Sequence, residues 1–297
     1  MFSNDSLRSM KRVLLATTEP EGEESYGHLM IADALNRARV PFWTRAGTVR
    51  SSSELDAALE IGGIDLVHFV DPQSASFARI NRSYPAVGSL FIDSPNLSSR
   101  MVDDLDLLDL VLVESEALSS SLKSETWEIG TCLDVDAFSP ESNPKSRDLL
   151  ASIDDDSKML VCVGTDSDFQ VLVAELDKEI ISDCNFVMMH SNEMEQLLEE
   201  TDRIIALLQH SEVLMIAEGN PYHPNLELHA SASGCPSLNC TSEDPRQWME
   251  QFMQIHSDWI RAGKVPRFPD EKAIENIRKT NGLRAYGNSL AEVYSRF

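Results

Sequence analysis

The stretch Leu228-His229-Ala230-Ser231-Ala232-Ser233-Gly234-Cys235-Pro236 closes a short helix expected over 225–233 and turns into a strand expected over Ser237–Cys240. Just before it, Glu218-Gly219-Asn220-Pro221-Tyr222-His223-Pro224 gathers Gly and two Pro behind an apolar strand expected over 213–217, and Asn225 is a capping candidate for the helix. Strand, loop, helix and strand in that order form the unit of a parallel α/β sheet. A loop at the carboxyl end of such a strand is where doubly wound folds bind ligand.

The same alternation runs outward from this unit in both directions. Toward the amino terminus, apolar runs at 13–16, from 41, at 65–70, 86–92, 110–113 and 126–130 are separated by helical spacing, which predicts a six-strand doubly wound domain closing near residue 145. Residues 139–148, rich in Ser, Pro and charge, read as a linker. A second series follows, with Met159–Val163 ending at Gly164, a helix over 171–181, a strand over 186–189 and a helix over 202–210. The expected fold class is α/β with two Rossmann-like domains, 1–145 and 146–260, and a tail over 261–297. That tail carries eight Lys or Arg against four acids and is expected to pack back on the N-terminal domain.

Composition narrows the function classes. The 297 residues are 42% hydrophobic and 25% charged, enough for two globular domains. Asp and Glu number 49 against 25 Lys and Arg, for a net charge of −24, and residues 101–200 alone hold 25 acids and 5 bases. Such a field repels polyanions unless a local basic patch overrides it, so a nucleic-acid partner is not expected, whereas a partner protein on the acidic surface is compatible with it. Five cysteines without a C-x-x-C pair point to a reducing, cytoplasmic setting. No apolar run approaches the roughly 20 residues a membrane span requires.

The opening stretch resembles the L-E-A-M-A-S-G-x-P signature of retaining glycosyltransferases of the GT-B fold, family-4 type. Asp134-Val135-Asp136-Ala137-Phe138-Ser139-Pro140 is similar to that family's G-V-D-x-x-x-F-x-P segment, Met159–Val163 with Gly164 to the strand that opens its donor domain, and 202–213 to its A-L-Y-x-x-A-D-V helix and strand. The resemblance covers about 11–260 and implies transfer of a hexosyl group from a nucleotide-sugar, bound in the second domain, to a glycan or protein acceptor held by the first, across the interdomain cleft. The nucleotide-sugar is then a substrate, and no tightly bound cofactor is implied.

Residue by residue, the carry-over is partial. The leaving diphosphate needs cations, yet the family's Arg falls on Thr165, and Asp166 and Asp168 follow where a Lys is expected. A divalent cation bridging these acids would restore the sign; otherwise they form a solvated turn. Of the family's two donor-holding glutamates, the second falls on His229 and the first on Pro221, with Glu218 and Glu227 nearby. The implied donor-side residues are thus Gly164, Thr165, Tyr222, Glu227 and His229, with Glu218 as a catalytic candidate. His229 reads equally as a ribose contact or as a histidine satisfied at a helix start. On the acceptor side, Gly22, Gly27 and His28 lie in a loop carrying four glutamates, and Asp93 reads either as a strand-end turn residue or as a group orienting an acceptor hydroxyl. The alternative that the missing cations and glutamates suggest is an inactive GT-B protein that binds glycan or polypeptide, or a partner subunit of an active transferase. If Asp166 and Asp168 flank the phosphates, nucleotide binding requires a divalent ion, and titration in excess chelator should show none.

Overall fold

A computed structural model of the chain describes residues 11–18, 26–78, 82–90, 97–114, 116–138, 159–163, 174, 185–189, 201–217, 223–240, 245–263 and 267–297. The chain forms two compact units, Met1–Cys132 with Lys279–Phe297, and Leu133–Arg278. The expected boundaries at 145 and 260 differ from these divisions. The expected linker lies outside the described residues, but the 3₁₀ turn Val135–Phe138 before it is already part of the second unit, where Phe138 is buried with Ile205, Ala232 and Ile277. The tail is shared: 279–297 belongs to the first unit and 261–278 to the second.

The first unit contains β1 (Lys11–Thr17), α1 (Tyr26–Ala38), β2 (Phe42–Thr48), α2 (Ser52–Gly62), β3 (Leu66–Phe69), α3 (Pro72–Ala75), β4 (Ala86–Leu90), α4 (Ser99–Leu105), β5 (Leu110–Val113), α5 (Glu116–Ser119) and β6 (Thr126–Glu128). Its strands form one parallel sheet in the order β2-β1-β3-β4-β5-β6. Val13, Leu14, Leu15 and Ala16 are all fully buried, as expected of a central strand covered on both faces. Leu14 and Ala16 face one apolar cluster with Leu55, Phe69 and Leu105; Val13 and Leu15 face another with Ile31, Leu35, Leu290 and Val293.

In the second unit β7 (Met159–Val163), β8 (Asn185–Met189), α6 (Thr201–His210), β9 (Ser211–Ala217), α7 (His223–Ser233), β10 (Ser237–Cys240), α8 (Pro245–Arg261) and α9 (Glu271–Thr280) build a parallel sheet in the order β10-β9-β7-β8. The helix expected over 171–181 lies outside the described residues except position 174, which is helical.

The last helix, α10 (Leu283–Ser295), belongs to the first unit and packs on α1. The approach is close enough that a Cβ at Gly287 would fall inside the Ala34 carbonyl and lie 2.9 Å from Ala38 Cβ. Farther along, the buried Tyr294 hydroxyl sits 2.6 Å from His68 Nδ1, and Ser89 Oγ sits 2.6 Å from His68 Nε2, so both ring nitrogens of a fully buried histidine are satisfied. Burial pushes the Tyr294 phenol well above its usual range, so it stays a neutral partner. Lys11 Nζ donates to the Tyr294 carbonyl at 3.2 Å. Tyr294→Phe removes one partner of a buried ring nitrogen and should cost about 1–3 kcal/mol; Gly287→Ala, which forces α10 off α1, should cost more. Urea unfolding of the two variants checks the order.

Candidate functional site

In a doubly wound sheet, ligand is held outside the carboxyl ends of the strands where the strand order reverses. In the second unit that place follows β7 and β9, which are neighbours, with Val163 in register with Ile216. Gly164 and Thr165 come directly after β7, and Glu218 and Tyr222 between β9 and α7; these four lie outside the described residues, as do Asp166 and Asp168.

The two remaining donor-side candidates are on α7 and go separate ways. His229 is buried, 6% exposed, with its ring edge-on to Phe138 at 5.7 Å and 62°. Glu227 is half-buried and accepts from Asn239 Nδ2 at 3.1 Å, which ties it to β10. Two positions apart on a helix is about 200° of rotation, so the two side chains leave α7 on different faces. The contact of His229 with Phe138 joins two segments recognised separately in the sequence, the 134–140 stretch and the helix of the opening motif. Ile205 of α6 and Ala232 of α7 pack in the same cluster as Phe138.

The end of that motif has a structural task. Gly234 has φ +77°, and a Cβ there would lie 2.7 Å from the carbonyl carbon and oxygen of Phe268 and 2.9 Å from the nitrogen of Pro269. Cys235 is buried; desolvation pushes its thiol up to about 12, partly offset by Arg267, so it packs as a small apolar group and is not a nucleophile.

On the acceptor side, Gly22 and Asp93 lie outside the described residues. Gly27 and His28 are in the first turn of α1, the helix that follows β1. In this unit the order reverses between β1 and β3. Asp71, just after β3, stands at this end of the sheet. Its carboxylate accepts from Thr18 N at 3.0 Å, Thr18 Oγ1 at 3.1 Å and Ser74 N at 2.7 Å, fixing the chain as it leaves β1. Asp-Pro after a strand, with Pro72 at the helix start, was the available signal for this cap.

Also unforeseen is a buried charge cluster in the second unit. Glu212, fully buried near the start of β9, meets His256 Nδ1 of α8 at 2.5 Å. Arg267 interacts electrostatically with Glu212 and lies 4.7 Å over the Trp259 ring. This cluster is at the amino end of β9, away from the edge that binds ligand in such sheets, so it serves to hold α8 and residue 267 against the sheet. Among the described residues no group of three or more His, Cys, Asp or Glu is placed to hold a metal, and no helix is long and apolar enough to cross a membrane.

No family model matches the chain, and no curated protein matches it by sequence. Solved structures match over nearly its whole length. Anabaena Alr3699/HepE in complex with UDP-glucose superposes with a TM-score of 0.58 at 12% identity, over 96% of this chain and 100% of that one. The UDP-GlcNAc 2-epimerase of Neisseria meningitidis bound to UDP-GlcNAc gives 0.52 at 14%, over 97% and 100%. AviGT4, a glycosyltransferase involved in avilamycin A biosynthesis, gives 0.51 at 9%, over 96% and 97%. These likenesses establish the fold: an α/β chain with two Rossmann-like units of the GT-B type. Gly234→Ala would combine left-handed backbone strain of about 1–2 kcal/mol with a backbone clash, and His229→Ala would empty a buried ring site, so both should lower the melting temperature, Gly234→Ala the more.

Proposed function

We propose that the chain is a glycosyltransferase-like protein of the GT-B fold, similar to the retaining family-4 type, that binds a nucleotide-sugar in its second unit and transfers the sugar to a glycan or protein acceptor. The observation that carries this reading is the full-length likeness to HepE, whose structure holds UDP-glucose. Gly164, Thr165 and Tyr222 hold the donor, with Glu227 and His229, which leave α7 on different faces, as the further donor-side candidates; Glu218 and Asp93 are the catalytic candidates, and Gly22, Gly27 and His28 belong to the acceptor side. Asp166 and Asp168 would hold a divalent cation if one takes part, and it would supply the positive charge the diphosphate needs. The buried free thiols Cys132, Cys235 and Cys240 suit a reducing cytoplasm.

A second reading, a GT-B protein that binds without transferring, is favoured by two observations. The cation positions of the resembling family hold Thr165 and two acids, and Glu227 and His229 already have protein partners in Asn239 and Phe138. Calorimetric titration with UDP, UDP-glucose and UDP-GlcNAc, with and without Mg²⁺ or Mn²⁺, tests the shared premise of nucleotide binding. Release of UDP from either sugar nucleotide supports transfer or hydrolysis, and 2-epimerised UDP-GlcNAc in the same sample would replace transfer with epimerisation. Introducing Thr165→Arg and Asp168→Lys together should raise nucleotide affinity about tenfold or more, since charge-assisted contacts to phosphate contribute about 1.5–3 kcal/mol each. If neither the parent nor the repaired protein binds any nucleoside diphosphate, the donor reading is withdrawn.

A further inference from the structure

Strand β2 is an edge of the first sheet: among the described residues, β1 is its one neighbour. Over 34–53, which spans this strand and both flanks, the chain has Arg37, Arg39, Arg45 and Arg50 and no Asp or Glu, although acids outnumber bases 49 to 25 overall. Arg37 is engaged by Asp33 at 3.0 Å. Arg39, Arg45 and Arg50 are exposed, and their guanidinium groups have no acidic partner among the described residues; Glu54 meets the backbone amide of Arg50. Several arginines elsewhere are matched, as in Arg82 with Asp109, Arg261 with Asp258, Arg278 with Asp136 and Arg296 with Glu125. Among the described residues, three arginines without an acidic partner thus cluster on one edge strand and its flanks in an acidic protein.

Apolar surface at the same place is partly open. Trp43 is 45% exposed, whereas Phe42 on the other face packs edge-on to Tyr294 at 5.5 Å. Trp43 and Arg45 share a face by the strand's period of two. The partner of Trp43 across the ladder is Arg12, whose Nη1 donates to the Gly62 carbonyl, next to Ile61, which is 79% exposed.

We propose that the outer edge of β2 docks an extended acidic segment of a partner protein, which adds as a further strand and sets carboxylates against Arg45 and its flanking arginines. An open edge supplies main-chain hydrogen bonds, and alternate side chains supply selectivity. Charge on an edge strand blocks pairing with like edges and leaves pairing with an opposite sign open. It also argues against a second copy of this chain: β2 paired with itself about a two-fold axis sets Arg45, the midpoint of Phe42–Thr48, against its own copy. The net charge of the chain repels an acidic peptide only at a distance, since screening acts over about 8 Å at physiological ionic strength.

The test uses the full-length protein and a fluorescein-labelled octapeptide of alternating Val and Glu, followed by anisotropy. Binding is expected for this peptide and not for its Val–Lys counterpart. Arg45→Glu on the exposed edge, and N-methylation of alternate peptide amides, should each weaken it about tenfold or more, the scale of one lost charge-assisted or main-chain set of contacts. Equal binding of the methylated peptide would mean adsorption by charge, and the strand-addition proposal would fall. It falls also if the Val–Glu peptide fails to bind up to about 1 mM or binds Arg45→Glu equally well. Sedimentation with phosphatidylserine vesicles that Arg45→Glu abolishes would reassign the surface to a membrane.

Discussion

A parallel sheet has to be covered on both faces, and in the first unit part of that cover comes from the other end of the chain. Leu283, Tyr286, Leu290, Val293 and Tyr294 of α10 are buried in the same cluster as Val13, Leu15 and Leu35. Without α10 that side of β1 and β3 would lose a large share of its apolar partners, at about 25 cal/mol for every Å² returned to water. The chain must therefore leave the first unit at residue 132 and return to it at 279. Two devices fix where it lands. Gly287 lets α10 approach the backbone of α1, and the Tyr294–His68–Ser89 series adds a directional polar contact inside an apolar cluster. The first sets the distance and the second the position along the sheet.

Polar groups elsewhere steer the chain in the same way. Asp71 is capped by three donors, so it is a clamp on the chain leaving β1 and has little capacity left for a substrate hydroxyl. Glu212 is more costly, because a fully buried carboxyl group needs polar or charged partners beside it. It has His256 at one oxygen and Arg267 in its field, while its Oε2 is buried without a hydrogen-bond partner. Loss of His256 would leave that buried carboxyl without its hydrogen-bond partner, so α8 is held to the sheet by a contact whose removal costs more than its formation gains.

The strands were legible because each is a short apolar run bounded by turn residues. Ala86–Leu90, Leu110–Val113, Met159–Val163 and Ser237–Cys240 lie where hydrophobic periodicity puts them. What the sequence did not disclose depends on meetings across the fold. Nothing local in Tyr294 announces His68, separated from it by 226 positions, and the αL backbone of Gly234 has its reason in Phe268 and Pro269. At the candidate site, the spacing correctly separates Glu227 from His229, since a helix puts residues two apart on different faces. Their partners, Asn239 and Phe138, were not readable, because both come from other elements.

Charge decides what the second unit can do with a nucleotide. A diphosphate brings about two negative charges. A helix start such as that of α7 offers about half a positive charge, effective within its first turn. Thr165, Asp166 and Asp168 occupy the stretch where the resembling family places cations. One like-charge pair at 4 Å costs about 4 kcal/mol near a protein surface, more than one charge-assisted hydrogen bond returns. A nucleotide held without a metal ion must then draw its affinity from base and ribose. That suffices for a protein that only binds, because binding does not require charge to be stabilised as it develops. Transfer does require it, since the diphosphate gains charge as the sugar departs and only contacts stronger in the transition state raise the rate. Of the two readings, the transferase alone needs a cation beside the phosphates, so the demand for a divalent ion, and not nucleotide binding itself, separates catalysis from recognition in this chain.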